Sequence, residues 1–210
     1  MWLFLGTAHC FALTFSDIEA RGGSIWIGNG YTVDKNGNPV QWSDVSPLVG
    51  TLGVDLGIPI SQNLSVRPAL DLFGIQYAQT ASGKVVPTQI ETANAVLMIG
   101  ALLSAPVSYT WDLNSSLSIS AGASPSFLFR IPTLSYGTPD RSAITSYMYQ
   151  SLRFFYPEVQ GSLLYKFQKT FQFGIALRGL FPIFHLWDGE SMPIWDQMMV
   201  SGTLFLRFLL

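Results

Sequence analysis

The sequence predicts an all-β chain, folded as an eight-stranded antiparallel up-and-down transmembrane β-barrel. Three observations lead there. The first is alternation with a period of two, clearest over residues 117–130. Leu117, Ile119, Ala121, Ala123, Pro125, Phe127 and Phe129 fall on one face, and Ser118, Ser120, Gly122, Ser124, Ser126, Leu128 and Arg130 on the other. Successive side chains of a strand point to opposite faces, so this strand has one apolar face and one face of mostly small polar residues. The second is composition. Charged residues make up 11% of the 210-residue chain and hydrophobic ones 49%, against about 25% charge in an ordinary soluble domain. The third is the connections, long and short in alternation, as in a meander whose two ends meet different environments.

Composition also removes several function classes. A net charge of −2 with no run of Lys or Arg leaves no electrostatic footprint for nucleic acid. The single Cys10 forms no intrachain disulfide and, with two His in the chain, builds no zinc site. No cofactor is expected.

Residues 1–15 are apolar apart from Thr7, His9 and Thr14 and carry no charged side chain. That length suits a signal-peptide core and is too short for a spanning helix. Cys10-Phe11-Ala12 offers a small-x-small cleavage site, so residues 1–12 are expected to be a signal peptide and residues 13–210 the barrel. The positive segment usual before such a core is missing. A lipidated Cys10 and an apolar first strand are the other two readings.

The strands follow in order. Residues 18–29 form the first, its alternation blurred by Gly22-Gly23, which suggests a bulge. Residues 31–46 are a long polar loop. Residues 47–60 set Leu48, Leu52, Val54, Leu56 and Ile58 against Thr51, Gly53, Asp55 and Gly57; after a short turn, residues 64–75 set Val66, Leu70 and Leu72 against Arg67, Ala69, Asp71, Phe73 and Ile75. A long loop over residues 77–89 leads to residues 92–111, which hold no charge. That stretch is long enough for a spanning helix, but Pro106 and weak helical periodicity favour a strand. The fifth strand runs to residue 131 and a third long loop covers residues 132–150. Around a tight turn at Gln168-Lys169, Phe155, Pro157, Val159, Leu163 and Tyr165 oppose Tyr156, Glu158, Gln160 and Ser162, while Phe171, Phe173, Ile175, Leu177 and Phe181 oppose Gln172, Ala176, Arg178 and Leu180. After a loop over residues 185–196, the last strand sets Val200, Leu204, Leu206 and Phe208 against Ser201, Thr203 and Arg207. Pro68, Pro125 and Pro157 face outward, and each is expected to mark a bulge or kink, the place for a lateral opening.

Residue size decides which face looks in. An eight-stranded lumen is barely wide enough for ordinary side chains. The polar face is mostly Ser, Gly, Thr and Ala, which fit a cramped interior and would make a poor solvated exterior. The apolar face therefore looks at lipid; a soluble lipocalin-type barrel turns the faces around. Aromatics gather in two bands, Tyr109, Trp111, Tyr165, Phe167, Phe171 and Phe208 near the short turns, and Phe127, Phe129, Phe155, Phe181 and Phe184 toward the long loops. Such girdles mark membrane interfaces.

These strands and connections resemble the small bacterial outer-membrane barrels. The chain is most similar to the outer-membrane protein W family, with the membrane domain of outer-membrane protein A a looser relative. The resemblance spans the mature chain and rests on pattern. The terminal signal read by the barrel-assembly machinery is matched at Ser201, Leu206 and Phe208 but not at Thr203, where Gly is usual. The resemblance implies an outer-membrane location, both termini periplasmic, with outer-membrane lipids and that machinery as partners.

Alternation sends Asp55, Arg67, Asp71, Arg130, Glu158, Arg178 and Arg207 into the lumen, with Glu158 expected directly opposite Arg178. Two readings stand, a salt-bridged plug and a gate or narrow ion path. Toward the long loops, Phe73, Ile75, Leu128, Phe154, Tyr156 and Leu180 point inward. The resemblance implies that this upper lumen receives small hydrophobic molecules, which leave sideways into the bilayer; a packed core is the equal alternative. The protein is thus expected to be a narrow channel or receptor for such molecules, or else a surface-exposed adhesin or structural barrel whose long loops meet a host or cell-surface component. An enzyme is not expected. Past the leader His185 is alone, Leu186-Trp187 follow it where the barrel deacylases carry His-x-Ser, and no Gly-x-Ser-x-Gly elbow is present. Asp188, Glu190 and Asp196 match no calcium loop.

Overall fold

The structure, a computed structural model, describes residues 14–33, 39–41, 46–79, 83–88, 95–189, 193 and 195–210. The signal peptide expected over residues 1–12 lies outside them. Among these residues the strands are β1 (Asp17–Ile27), β2 (Tyr31–Val33), β3 (Pro39–Gln41), β4 (Leu48–Pro59), β5 (Leu64–Val66), β6 (Ala69–Gln79), β7 (Val85–Thr88), β8 (Ala95–Ser104), β9 (Val107–Asp112), β10 (Leu117–Tyr136), β11 (Phe155–Lys166), β12 (Phe171–Leu180) and β13 (Met199–Leu209), with one α-helix, α1 (Arg141–Tyr149).

Antiparallel pairing leads round a closed ring. β1 pairs with β4, β4 with β5 and β6, these with β9 and β8, and those with β10; β11, β12 and β13 follow, and β13 returns to β1. Eight wall positions result, because β5 and β6 are halves of one wall strand and β8 and β9 of another. This is the eight-stranded antiparallel up-and-down barrel expected from the sequence. The wall is exposed and aliphatic outside, with Leu52 at 72% and Leu177 at 67%, while Asp71 and Arg178 inside are at 1% and 3%. Charges hidden within a ring of exposed Leu, Ile, Val and Phe are the reverse of a soluble protein, and they fit a wall that faces lipid. Among the described residues no helix is long and apolar enough to cross a membrane; the crossing is made by strands.

The two broken wall strands break side by side. The Arg67 N–H donates to the Pro106 carbonyl at 3.0 Å, so the interruptions at Arg67-Pro68 and Ala105-Pro106 meet. Pro125 stands next to the second, where the Ala105 N–H turns to Ser124 Oγ at 2.9 Å. Pro125 in turn faces Pro157 in unbroken register. A proline lacks the N–H a ladder needs, so Pro68 and Pro106 fall where the wall strands are interrupted, whereas Pro125 and Pro157 mark no bulge in the register they share.

Gly22-Gly23 forms no bulge, since β1 keeps continuous register with both neighbours. Its glycine serves close approach instead: a Cβ on Gly23 would stand 2.1 Å from the Gly202 carbonyl oxygen. The long connections hold more structure than expected. The first carries the β2–β3 hairpin, the second begins with β6 continuing to Gln79 against β7, and the third contains the upper end of β10 and α1. Asp140 caps α1 by accepting from the Ala143 N–H at 2.9 Å, and Ile144 and Met148, one turn apart, are its buried residues. Both belong to the apolar core that fills the long-loop end of the lumen.

Candidate functional site in the lumen and wall

Nine charged side chains meet in the lower lumen. Arg178 forks onto Glu158, Nε to Oε1 at 2.8 Å and Nη2 to Oε2 at 2.9 Å, and also bonds Asp71. Asp71 takes a second fork from Arg21, at 2.6 and 2.8 Å. Arg21 continues to Asp55 at 2.9 Å, Asp55 to Arg67 at 2.5 Å, and Arg67 to Asp17 at 2.6 Å. Arg207 closes the line on Glu19 at 2.8 Å. Signs alternate along it, and Ser126 and Ser104 hydroxyls satisfy outer lone pairs and protons. Planar forks suit this work, since guanidinium matches carboxylate geometry bidentately.

Six of the seven lumen charges expected from alternation join this network. The seventh, Arg130, does not. It lies higher, where its guanidinium donates to neutral oxygens: Tyr77 Oη at 2.9 Å, Tyr156 Oη at 2.8 Å and the Arg153 carbonyl at 3.1 Å. The expected opposition of Glu158 and Arg178 is also corrected. Glu158 pairs with Leu180 and Arg178 with Gln160, because the hairpin is centred on Lys169 rather than on Gln168 and closes as Lys166 opposite Gln172. The Arg178 side chain spans the diagonal. Asp17, Glu19 and Arg21 of β1 are members that sequence reasoning missed. Their signal is plain in retrospect, three charges at every second position facing Ile18 and Ala20 on the other side.

Above the network the lumen is apolar. Phe73, Ile75, Leu128, Tyr156 and Leu180 pack in one buried cluster with Ile25, Met98, Leu102 and Met199. Two residues exchange the places expected for them. Phe154 precedes the start of β11 and lies on the outside, its ring stacked 6.5 Å from both Phe127 and Phe129. Phe184, expected in the upper aromatic girdle, is fully buried and packs edge-on to Tyr156 at 5.8 Å. Strand parity is lost beyond strand ends: Phe154 sits in a turn and Phe184 in the 3-10 helix Ile183–Leu186. Ile144, Met148 and Phe184 thus lid the core from the long-loop side.

Access differs at the two ends. From the short-turn side a polar vestibule of about 290 Å³ enters between Ser65, Thr110, Lys166 and Gln172 and reaches Asp17, Arg67 and Arg207. A further space of about 20 Å³ lies beside Glu19, Arg21 and Gln160, enough for one water molecule, which needs roughly 10–15 Å³. Water thus reaches the charges from below and meets the packed core above them.

One seam of the wall is only partly laddered. β4 and β6 pair only from Thr51–Phe73 to Asp55–Ala69. The same register would next bring Gly50 to Gly74, but the ladder stops. Neither glycine has a side chain to cover the seam, and a cleft of about 550 Å³ lies there, lined by Thr51, Leu52, Leu72, Phe73 and Ile99 as well as the two glycines. Leu52, Leu72 and Ile99 are on the exposed outer face. This cleft falls at glycines, away from Pro68, Pro125 and Pro157.

In the last loop His185 is nearly buried. Its Nδ1 lies 3.3 Å from Asp188 Oδ2 and its Nε2 3.0 Å from the Asp196 carbonyl. Both ring nitrogens hold the loop in place; Glu190 lies outside the described residues. No group of three or more metal-ligating side chains occurs among the described residues.

No protein-family model matches the chain, and no curated protein sequence does. A solved structure shares its fold, and others align with it. Neisserial surface protein A is similar over 92% of this chain and 96% of its own, with a TM-score of 0.54 and 11% identity. A designed transmembrane β-barrel aligns over 94% and 98% with a TM-score of 0.40 and 7% identity, and Ail of Yersinia pestis over 93% and 99% with 0.38 and 7%. At 11% identity the likeness to neisserial surface protein A is one of fold.

Proposed function

We propose that the chain is a bacterial outer-membrane protein, akin to the outer-membrane protein W family, that acts as a receptor for small hydrophobic molecules. The lipid-facing cleft at the β4–β6 seam carries this reading. It is apolar and bare at Gly50 and Gly74, and Phe73 at its base belongs to the upper core. A molecule dissolved in the membrane enters such a cleft without crossing water. The packed lumen supports a receptor over an open pore. Residues Ser16 and Leu210 are joined at the short-turn end, Leu210 N–H to Ser16 carbonyl at 2.9 Å, which supports periplasmic termini. The lipid-facing residues Leu206 and Phe208 support insertion by the barrel-assembly machinery.

The test is photo-crosslinking in lipid vesicles with a diazirine-bearing fatty alcohol, mapped by mass spectrometry. A Cβ on Gly50 meets nothing within 4 Å and one on Gly74 only Leu97 Cδ1 at 4.0 Å, so both accept side chains without strain on the wall. Labelling is expected at Leu52, Leu72 and Phe73. The Gly50→Leu, Gly74→Leu double variant should cut it roughly tenfold, equivalent to about 1.4 kcal/mol of lost affinity. Equal labelling of variant and parent refutes the cleft as the binding site.

A further inference from the structure

On one side of the barrel the apolar exterior does not end with the strands. Phe127 and Phe129 of β10 are exposed to the lipid side and stack on Phe154. Phe154 meets Tyr149, the last residue of α1, at 6.2 Å. Beyond it Ser151 and Leu152 take left-handed φ angles of 51° and 59°. That region disfavours residues with a Cβ, by about 1–2 kcal/mol each, so two in succession persist only where surrounding contacts hold them. One such contact is Trp187, whose indole Nε1–H donates to the Ser151 carbonyl at 2.9 Å. The result is a prong of three apolar side chains: Leu152 at 50% exposure, Leu186 at 82% and Trp187 at 46%. Among the described residues the adjoining charges turn away, Arg153 and Asp188 having side chains only 5% and 0% exposed.

We propose that Leu152, Leu186 and Trp187 form a membrane anchor of the lumen cap, inserted into the leaflet on the long-loop side. The partner is lipid, because this surface continues the lipid-facing wall through Phe127, Phe129, Phe154 and Tyr149. The indole N–H is already satisfied by Ser151, so the ring enters the interfacial region with no unmet donor. A leucine exposed at 82% at the end of the 3-10 helix Ile183–Leu186 has nothing to gain from water. The anchor has a consequence for the lid. α1, which ends at Tyr149, carries Ile144 and Met148 into the core, so the prong ties that lid to the membrane plane.

The test uses nitroxide labels on the full chain refolded in phosphatidylcholine vesicles, with Cys10→Ser to remove the native thiol. Labels at Leu186→Cys, Leu177→Cys on the wall and Arg141→Cys at the exposed start of α1 are compared for collision with oxygen and with a water-soluble nickel chelate. The Leu186 label should resemble the Leu177 label, colliding several-fold more with oxygen than with nickel, while the Arg141 label favours nickel. A Leu186 label that behaves like the Arg141 label overturns the anchor. So does one screened from both reagents, which would place a protein partner or a second copy on the prong. A Leu177 label that favours nickel overturns the lipid-facing wall as well, so the two failures are distinguishable.

Discussion

Arg178 and Glu158 form a bidentate ion pair, Nε–Oε1 2.8 Å and Nη2–Oε2 2.9 Å, although they stand two residues out of register on β12 and β11. The pair is buried, and Arg178 also holds Asp71. A buried ion pair adds little net stability, because desolvation offsets attraction, but removing one partner leaves an unpaired charge and costs about 3–5 kcal/mol. Arg178→Ala should therefore lower the urea midpoint of the refolded barrel by an amount equivalent to that cost. Arg178→Met combined with Glu158→Gln and Asp71→Asn should lose less than Arg178→Ala alone. Equal or additive losses would show that the charges do not act as one network.

The upper core makes a second contrast. Leu128 is fully buried among Met98, Leu102 and Leu180, while Phe154 lies on the outer wall. Leu128→Ala should cost about 2–5 kcal/mol through lost burial and the cavity left behind. Phe184→Ala should cost about 3–5 kcal/mol. Phe154→Ala should cost less than either, since its ring faces lipid rather than the packed lumen. Urea unfolding of the three variants checks this order, and a Phe154 effect as large as that of Phe184 would return Phe154 to the interior.

Two glycines of the wall should behave oppositely. A Cβ on Gly23 would fall 2.1 Å from the Gly202 carbonyl oxygen and 2.7 Å from Thr203 Cα, both backbone atoms of β13. Gly23→Val should thus disrupt the β1–β13 seam that closes the ring and abolish the compact, fast-migrating form on a mild SDS gel. Gly50→Val, in open space, should leave that form intact. If both variants run as compact barrels, the tight approach of β1 to β13 is wrong.

The lumen is closed twice, by the charged network and by the core under α1 and Phe184. A planar bilayer recording of the refolded chain should show no steady open-pore current. A stable ohmic conductance would mean that one of these plugs moves.

The wall was legible from the sequence because alternation within a strand is a rule of backbone geometry. It yielded the outward Leu and Phe of β10, β11 and β12 and the inward Asp55, Arg67, Asp71, Glu158, Arg178 and Arg207. Legibility failed where that geometry stops. Phe154 and Phe184 lie just outside strands and changed sides. Arg130 obeyed parity, but its height along the lumen decided its partners, and period two carries no information on height. The stagger of Glu158 and Arg178 depended on a hairpin centred on Lys169 rather than on Gln168, a one-residue move that shifts the register by two. On β1 the glycine pair masked an otherwise regular run of Asp17, Glu19 and Arg21. The seam at Gly50 and Gly74 was invisible for another reason: it arises from where β6 leaves β4 for β7, a matter of pairing between distant segments.

The central claim is that the apolar face looks at lipid and the charges lie inside. Heat-modifiability tests it most directly. The chain is refolded in detergent and run with and without boiling on a mild SDS gel. A compact unboiled band that migrates faster than the boiled one is the predicted result. A single unshifted band, from protein that is strand-rich and soluble without detergent, would contradict it and turn the two faces around.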